Sequence, residues 1–328
     1  MDCGIENRQT KPHWLTPRRF GVVLGLALLA AFSQVLLGLG TFFYRDYGVL
    51  GYPFIFHSHQ SFWRGELPLW NPLSNCGTPF LAQWGTMTLY PFSLFYLIFP
   101  LPWSLSYFCF AHLALGAFGM YFLARRWAGN PFGCGLAGLG FVFNGVTFSC
   151  LLWPNYAAAM GWMPWVVLWT ERSWREGGRW TVAAAVGAAM QMLTGVPEIT
   201  LFTWLILSAL WCQAFFRGEV ARGKLARRMT VVILVAAGLC AAQLLPFFDL
   251  LAHSQRDRSF SNSRWPMPGW GWANILVPLF HCFESSQGPF FQYGQEFLSS
   301  YYPGMTLLVL ALCALWRTPD TRARLLGA

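Results

Sequence analysis

Arg45 and Asp46 stand side by side in TFFYRDYG (41–48), where the first long apolar run of the chain stops. A carboxylate kept ionised in a protected site is a suitable general base for a sugar hydroxyl. The neighbouring guanidinium could orient it or anchor a lipid headgroup, and the plain alternative is that the pair marks a membrane border. Glu198 opens another apolar run after Gly195-Val196-Pro197. There it either gains from the positive end of a helix or supplies a second acid to a site. Arg256, Arg258 and Arg264, in SQRDRSFSNSRW, carry planar forks suited to phosphate oxygens. Finally, FWRGELPLWNPLSNCGTPF (62–80) is dense in Gly, Pro, Asn and Trp and follows His57, His59 and Gln60. It reads as a rigid loop with indole faces on which sugar rings can stack.

The elements that must position these groups are membrane spans. Hydrophobic residues make up 55% of the 328, charged residues only 11%, and mean hydropathy is +0.42. Soluble domains carry about 25% charged residues, so composition places the chain in a bilayer. The net charge of +9 is scattered in short clusters between apolar runs, which argues against nucleic acid as a partner. Apolar runs near 20–43, 103–124, 132–151, 156–171, 180–195, 198–216, 229–248 and 302–316 predict about eight transmembrane helices. The first run is longer than a signal-peptide core and ends in Thr-Phe-Phe-Tyr-Arg, so it reads as a retained span. LYPFSLFYLIFPLP, fenced by Pro91, Pro100 and Pro102, is too short to cross and predicts an interfacial or re-entrant segment.

With both termini in the cytoplasm, 17 of the 22 basic residues fall in inner segments, as the positive-inside rule requires. The tails are then 1–19 and 317–328. The long connections 44–102 and 249–301, and the turns Trp153-Pro154-Asn155 and Gly195–Glu198, share the outer face. Seven acids are outer (Asp46, Glu66, Glu198, Asp249, Asp257, Glu284 and Glu296), and the six inner ones, each with basic neighbours, read as solvated loop charge. His112 reads as a hydrogen-bonded core histidine, and Asn144 and Gln243 as interhelical glue. None of the nine cysteines has metal-ligand spacing. Only Cys76 and Cys282 fall in the outer segments, where a bridge between them is conceivable.

The stretch from Arg45 to Trp127 resembles the YfhO family of bacterial membrane proteins, within the GT-C class of multi-span glycosyltransferases. RDYGVLGYPF, RGELPLWNPLSNCGTPFLAQ, YPFSLFYLIFP and HLALGAFGMYFLARRWAG carry the resemblance. GFVFNGVTF, WPNYAAAMGWMPWVVLWTER, LTGVPEITLFT and QLLPFFDLLAHSQRDRSF continue it in order. The resemblance implies an all-α polytopic fold, GT-C-like, with interfacial helices in a long first outer loop, seated in the bacterial cytoplasmic membrane. It makes Asp46 the catalytic carboxylate, a polyprenyl-phosphate sugar the donor and an envelope glycan or glycolipid the acceptor. Arg45, His57, Arg64, Glu66, Trp70, Asn71, Gln83, Asn155, Glu198, Arg256, Arg258 and Arg264 are then the substrate-binding candidates. No cofactor is implied, and without a DxD-type pair a divalent metal has little support. The family commonly carries His where this chain has Val196 and Trp153, so no role transfers to those positions. Family members are also longer, so the chain reads as a short or truncated one, whose partner would be the missing C-terminal portion or a downstream-encoded chain. The competing readings are a lipid-linked sugar flippase and a non-catalytic fragment.

Overall fold

The computed structural model describes residues 14–255, 266–285, 290–295 and 300–317, with single positions at 298, 322, 325 and 327. Its helices are α1 (Pro17–Leu36), α2 (Tyr52–Trp63), α3 (Leu94–Ile98), α4 (Trp103–Trp127), α5 (Pro131–Val142), α6 (Gly145–Cys150), α7 (Pro154–Glu176), α8 (Arg179–Leu193), α9 (Pro197–Arg217), α10 (Arg222–His253) and α11 (Met305–Arg317). Two small antiparallel ribbons decorate the connections. In one, β1 (Trp70–Asn71) pairs with β2 (Thr78–Pro79); in the other, β3 (Cys282–Glu284) pairs with β4 (Phe290–Gln292).

Four helices, α1, α4, α9 and α10, are long and apolar enough to cross a membrane. Val22, Leu26, Leu234 and Leu245 on two of them are each more than 60% exposed. Apolar faces turned outward over whole helices demand an apolar surrounding, and the chain is an all-α membrane protein. The centre is the pair α4 and α7, with α5 against α4, α8 and α9 against α7, and α10 against α8. A Cβ on Gly161 would lie 2.6 Å from the His112 carbonyl, so only glycine allows these two backbones to approach so closely. Helix α7 falls outside the four because Pro154, Asn155, Tyr156, Pro164 and its Trp residues lower its hydropathy and its last turns carry Glu171, Arg172, Arg175 and Glu176; wrapped by neighbours, it has little need of an apolar outer face.

Contacts fix which helix ends meet. Tyr121 donates to the Leu15 carbonyl (2.8 Å), Arg228 to that of Trp174 (2.7 Å), and Arg175 pairs with Glu219 (2.6 Å). The start of α1, the ends of α4, α7 and α9 and the starts of α8 and α10 therefore share one end of the bundle. Arg18, Arg19, Arg125, Arg126, Arg172, Arg175, Arg179, Arg217, Arg222, Lys224, Arg227 and Arg228 gather there. The first long connection closes the opposite end: Trp84 donates to the Met192 carbonyl (2.7 Å), and Thr41 and Ser106 share a hydrogen bond (3.0 Å).

Several expectations change in detail. The first helix stops at Leu36 and not at 43, because Gly38 turns left-handed (φ 74°) and the amides of Leu39 and Gly40 fold back onto Gln34. The run 132–151 is two helices broken at Phe143-Asn144. Asn144 accepts from the Thr147 amide (2.9 Å) and donates to the Gly140 and Phe141 carbonyls, so it joins consecutive helices as a cap and does not bridge distant ones. Gln243 likewise reaches a loop, donating to the Leu81 carbonyl (2.6 Å). Glu171 is not a solvated loop charge. It is 3% exposed, accepts from Trp127 Nε1 (2.7 Å) and faces Arg175 and Arg322 at 3.4 and 3.1 Å.

Two readings hold closely. Segment 88–101 forms a 3-10 turn at Pro91–Ser93 and the short α3, and dips between α4 and α7. There the Tyr90 hydroxyl accepts from Trp162 Nε1 (2.7 Å) and lies 2.6 Å from His112 Nε2, while His112 Nδ1 faces the Phe108 carbonyl (2.8 Å). With Nδ1 protonated, Nε2 accepts from the phenol and every group in this chain is satisfied. His112 is a core histidine.

Candidate functional site

Asp46 sits half-buried at the end of the bundle opposite the arginine-rich one. It precedes a π-helical turn, Tyr47–Gly51, that runs directly into α2. Its Oδ2 accepts a hydrogen bond from Trp153 Nε1 at 2.7 Å. Trp153 occupies the bend between α6 and α7, positioned by Pro154 at the first helical position. Its ring lies 5.1 Å from that of Tyr156, one turn on, whose hydroxyl donates to Glu198 Oε2 (3.1 Å). The Asp46 and Glu198 carboxylates thus stand at the ends of one aromatic relay.

Arg45 adopts a left-handed backbone (φ 51°), which few non-glycine residues hold without local over-determination and which clusters at functional sites. That twist sends its guanidinium over Phe291 of β4, 4.9 Å from the ring centre, and Tyr44 also faces Phe291. The two long connections therefore meet at Tyr44–Asp46. Beside the meeting point lies a cavity of about 530 Å³, lined by Tyr44, Phe143, Phe148, Leu152, Phe290 and Tyr302 among others. A second of about 320 Å³, lined by Phe32, Phe42, Phe43 and Leu151, shares Tyr44, Phe148 and Leu152 with it. Both walls are overwhelmingly apolar.

The other candidates are distributed as follows. Glu198 lies in the first turn of α9, exposed, both favoured by the helix dipole and turned to Tyr156. Gly195 before it is left-handed (φ 73°), and a Cβ there would collide with the Trp84 carbonyl, so this turn is clamped to the first connection. Asn155 packs against that clamp at Gly85. Asn71 is buried with its amide occupied within its own loop, accepting from the Leu73 amide and donating to Ser74. It fixes the β1–β2 hairpin, in which Gly77 lies under the Trp70 ring, 2.6 Å from where a Cβ would sit. Gln83 donates to the Pro79 carbonyl. His57 stacks edge-on to Phe80, with Nε2 buried and unpartnered among the described residues. Arg64 and Glu66 are exposed beyond the far end of α2, whose 12 residues span about 18 Å, so they stand apart from Asp46. Arg256, Arg258 and Arg264 lie outside the described residues, as do Asp257 and Glu296.

Trp153 and Tyr156 are the partners that sequence reasoning missed. The signal was the Trp-Pro-x-Tyr turn at 153–156, which sequence reasoning expected near Asp46 without assigning its side chains a role, because the resembled family has His at the first position. No disulfide joins Cys76 to Cys282. Among the described residues no three His, Cys, Asp or Glu side chains converge as metal ligands. No protein-family model, curated protein or solved structure matches the chain.

Proposed function

We propose that the chain is a membrane glycosyltransferase of the GT-C kind, as its resemblance to the YfhO family implies. It moves a sugar from a polyprenyl-phosphate donor to an envelope glycan or glycolipid at the outer face of the bacterial cytoplasmic membrane. One observation carries the reading: the Asp46 carboxylate is held by Trp153 two residues after Tyr44, which lines an apolar cavity that Asp46 itself does not line, at the end of the bundle opposite the arginine-rich one. A prenyl tail needs an apolar channel, and a base needs a fixed carboxylate near it. The remaining helices complete eight crossings in this reading. In this reading both termini lie in the cytoplasm, and the charge asymmetry between the two ends supports it.

In the reaction, Asp46 takes the proton of an acceptor hydroxyl as its oxygen forms a bond to the anomeric carbon. The bond from that carbon to the phosphate oxygen breaks, and polyprenyl phosphate leaves with the electron pair. Arg45, at the seam of the two connections, faces the leaving phosphate. Trp153 orients the carboxylate through Nε1 and leaves its other oxygen for the acceptor. Asp46→Asn, purified at wild-type yield and reconstituted with undecaprenyl-phosphate hexoses, should lose transfer. Wild-type turnover in that variant overturns the assignment.

A further inference from the structure

At the opposite end of the molecule lies a second cavity, also of about 530 Å³, between the end of α4, the last turns of α7 and the start of α8. Arg125, Arg126 and Arg172 stand at it, and Trp165, Trp169 and Trp180 form its walls. The 25 residues of α4 span about 37 Å, so this cavity is a bilayer's thickness away from the Asp46 end. Nothing in the proposed transfer uses it.

Its electrostatics are unbalanced. Glu176 takes a bidentate contact from Arg172 (3.1 and 2.9 Å) and a longer one from Arg126 (3.4 Å). Arg172 also lies 3.3 Å over the face of Trp180. Arg125 is exposed and makes no ion pair among the described residues. Three guanidinium groups and one carboxylate stand at the mouth, which therefore carries an excess of two positive charges. Below that mouth the walls are indole rings; Trp165 is pinned by a hydrogen bond to the Leu115 carbonyl (2.8 Å) and lies tilted against Trp169, ring centres 5.1 Å apart. A charged rim over an aromatic floor, at the end of a membrane-crossing helix, has the polarity profile of a phospholipid seen headgroup first. A soluble anion would use the rim and leave the floor wet.

We propose that this cavity is a binding site for an anionic membrane phospholipid. Its phosphodiester is held by Arg125 and Arg126, and its glycerol and upper acyl carbons lie against Trp165, Trp169 and Trp180. Arg172, tied to Glu176 and Trp180, shapes the rim.

The test is quenching of tryptophan fluorescence by brominated phosphatidylglycerol and brominated phosphatidylcholine, with the full chain in mixed micelles. Trp180→Phe isolates the local contribution. Wild type should quench at a lower mole fraction of the phosphatidylglycerol, by roughly five-fold for each of the two arginines and so about 25-fold together, and Arg125→Gln/Arg126→Gln should lose that preference. Arg217→Gln/Arg222→Gln, at the same end but outside the cavity, should keep it. Melting of each variant in phosphatidylcholine checks the fold; if the double variant melts early, Arg125→Gln alone, which breaks no ion pair among the described residues, is read in its place. Equal quenching by the two lipids overturns the proposal, as does a preference surviving the Arg125 and Arg126 changes. Equal loss in the Arg217 and Arg222 variant would show diffuse surface charge and also overturn it. Displacement of the lipid by millimolar glycerol phosphate would make a soluble phosphate ester the ligand, which overturns it as well.

Discussion

Trp153→Phe removes one atom that matters, the Nε1 donor at 2.7 Å from Asp46 Oδ2, and keeps an aromatic ring against Tyr156. A hydrogen bond to a charged acceptor contributes about 1.5–3 kcal/mol; with Asp46 only half-buried the lower figure applies, equivalent to roughly a ten-fold loss in kcat/KM. Asp46→Asn removes the base itself and should cost about 10²–10⁴-fold. Because Trp153 acts only through Asp46, the two losses should not multiply: on top of Asp46→Asn, Trp153→Phe should cost less than about two-fold further. The assay is transfer from undecaprenyl-phosphate hexoses in proteoliposomes, run as a double-mutant cycle. Thermal melting of the same four proteins gives a readout that needs no substrate, with a coupling of about 1 kcal/mol expected. Full additivity in both readouts would refute the claim that Trp153 orients the carboxylate.

Three further outcomes follow from the geometry. Gly195→Ala should destabilise the protein by about 2 kcal/mol or more, seen as a lower melting temperature, because its left-handed backbone and the Trp84 carbonyl both reject a Cβ. His112→Phe strands the buried Tyr90 hydroxyl and should cost about 1–3 kcal/mol, whereas His112→Phe with Tyr90→Phe should recover part of that loss on melting. The Arg172 guanidinium, by hydrogen bonding, holds the Glu176 carboxyl below the usual range. A depressed folded-state value means its stabilisation is fully present above the unfolded carboxylate range and fades as pH falls through the folded value. The melting difference between wild type and Glu176→Gln should therefore be present at neutral pH and vanish once pH falls below the folded value.

Much of the architecture was legible because bilayer crossing is a local requirement. A helix must be apolar over its own length, and basic residues must collect on one side; both are readable without knowing any partner. His112 was legible for the same reason, since a lone imidazole inside an apolar run has to find hydrogen-bond partners. Misjudged ends had local causes too. The apolar run continues to Phe43 after Gly38 has already ended the helix, and hydropathy cannot see Asn144 cutting 132–151 in two.

Residue order alone was enough for a helical membrane protein, its charge asymmetry, and Asp46 as the acid beside the first span. What that acid touches is a matter of packing. Trp153 is 107 residues away, Glu198 is linked through Tyr156, and Phe291 reaches Arg45 from the other long connection. Likewise, Glu171 carries charged neighbours in sequence but is sealed by Trp127, Arg175 and Arg322, because which face of α7 is covered depends on how α4 and α8 cross it. Helical periodicity says that a face exists; packing alone says what lies against it.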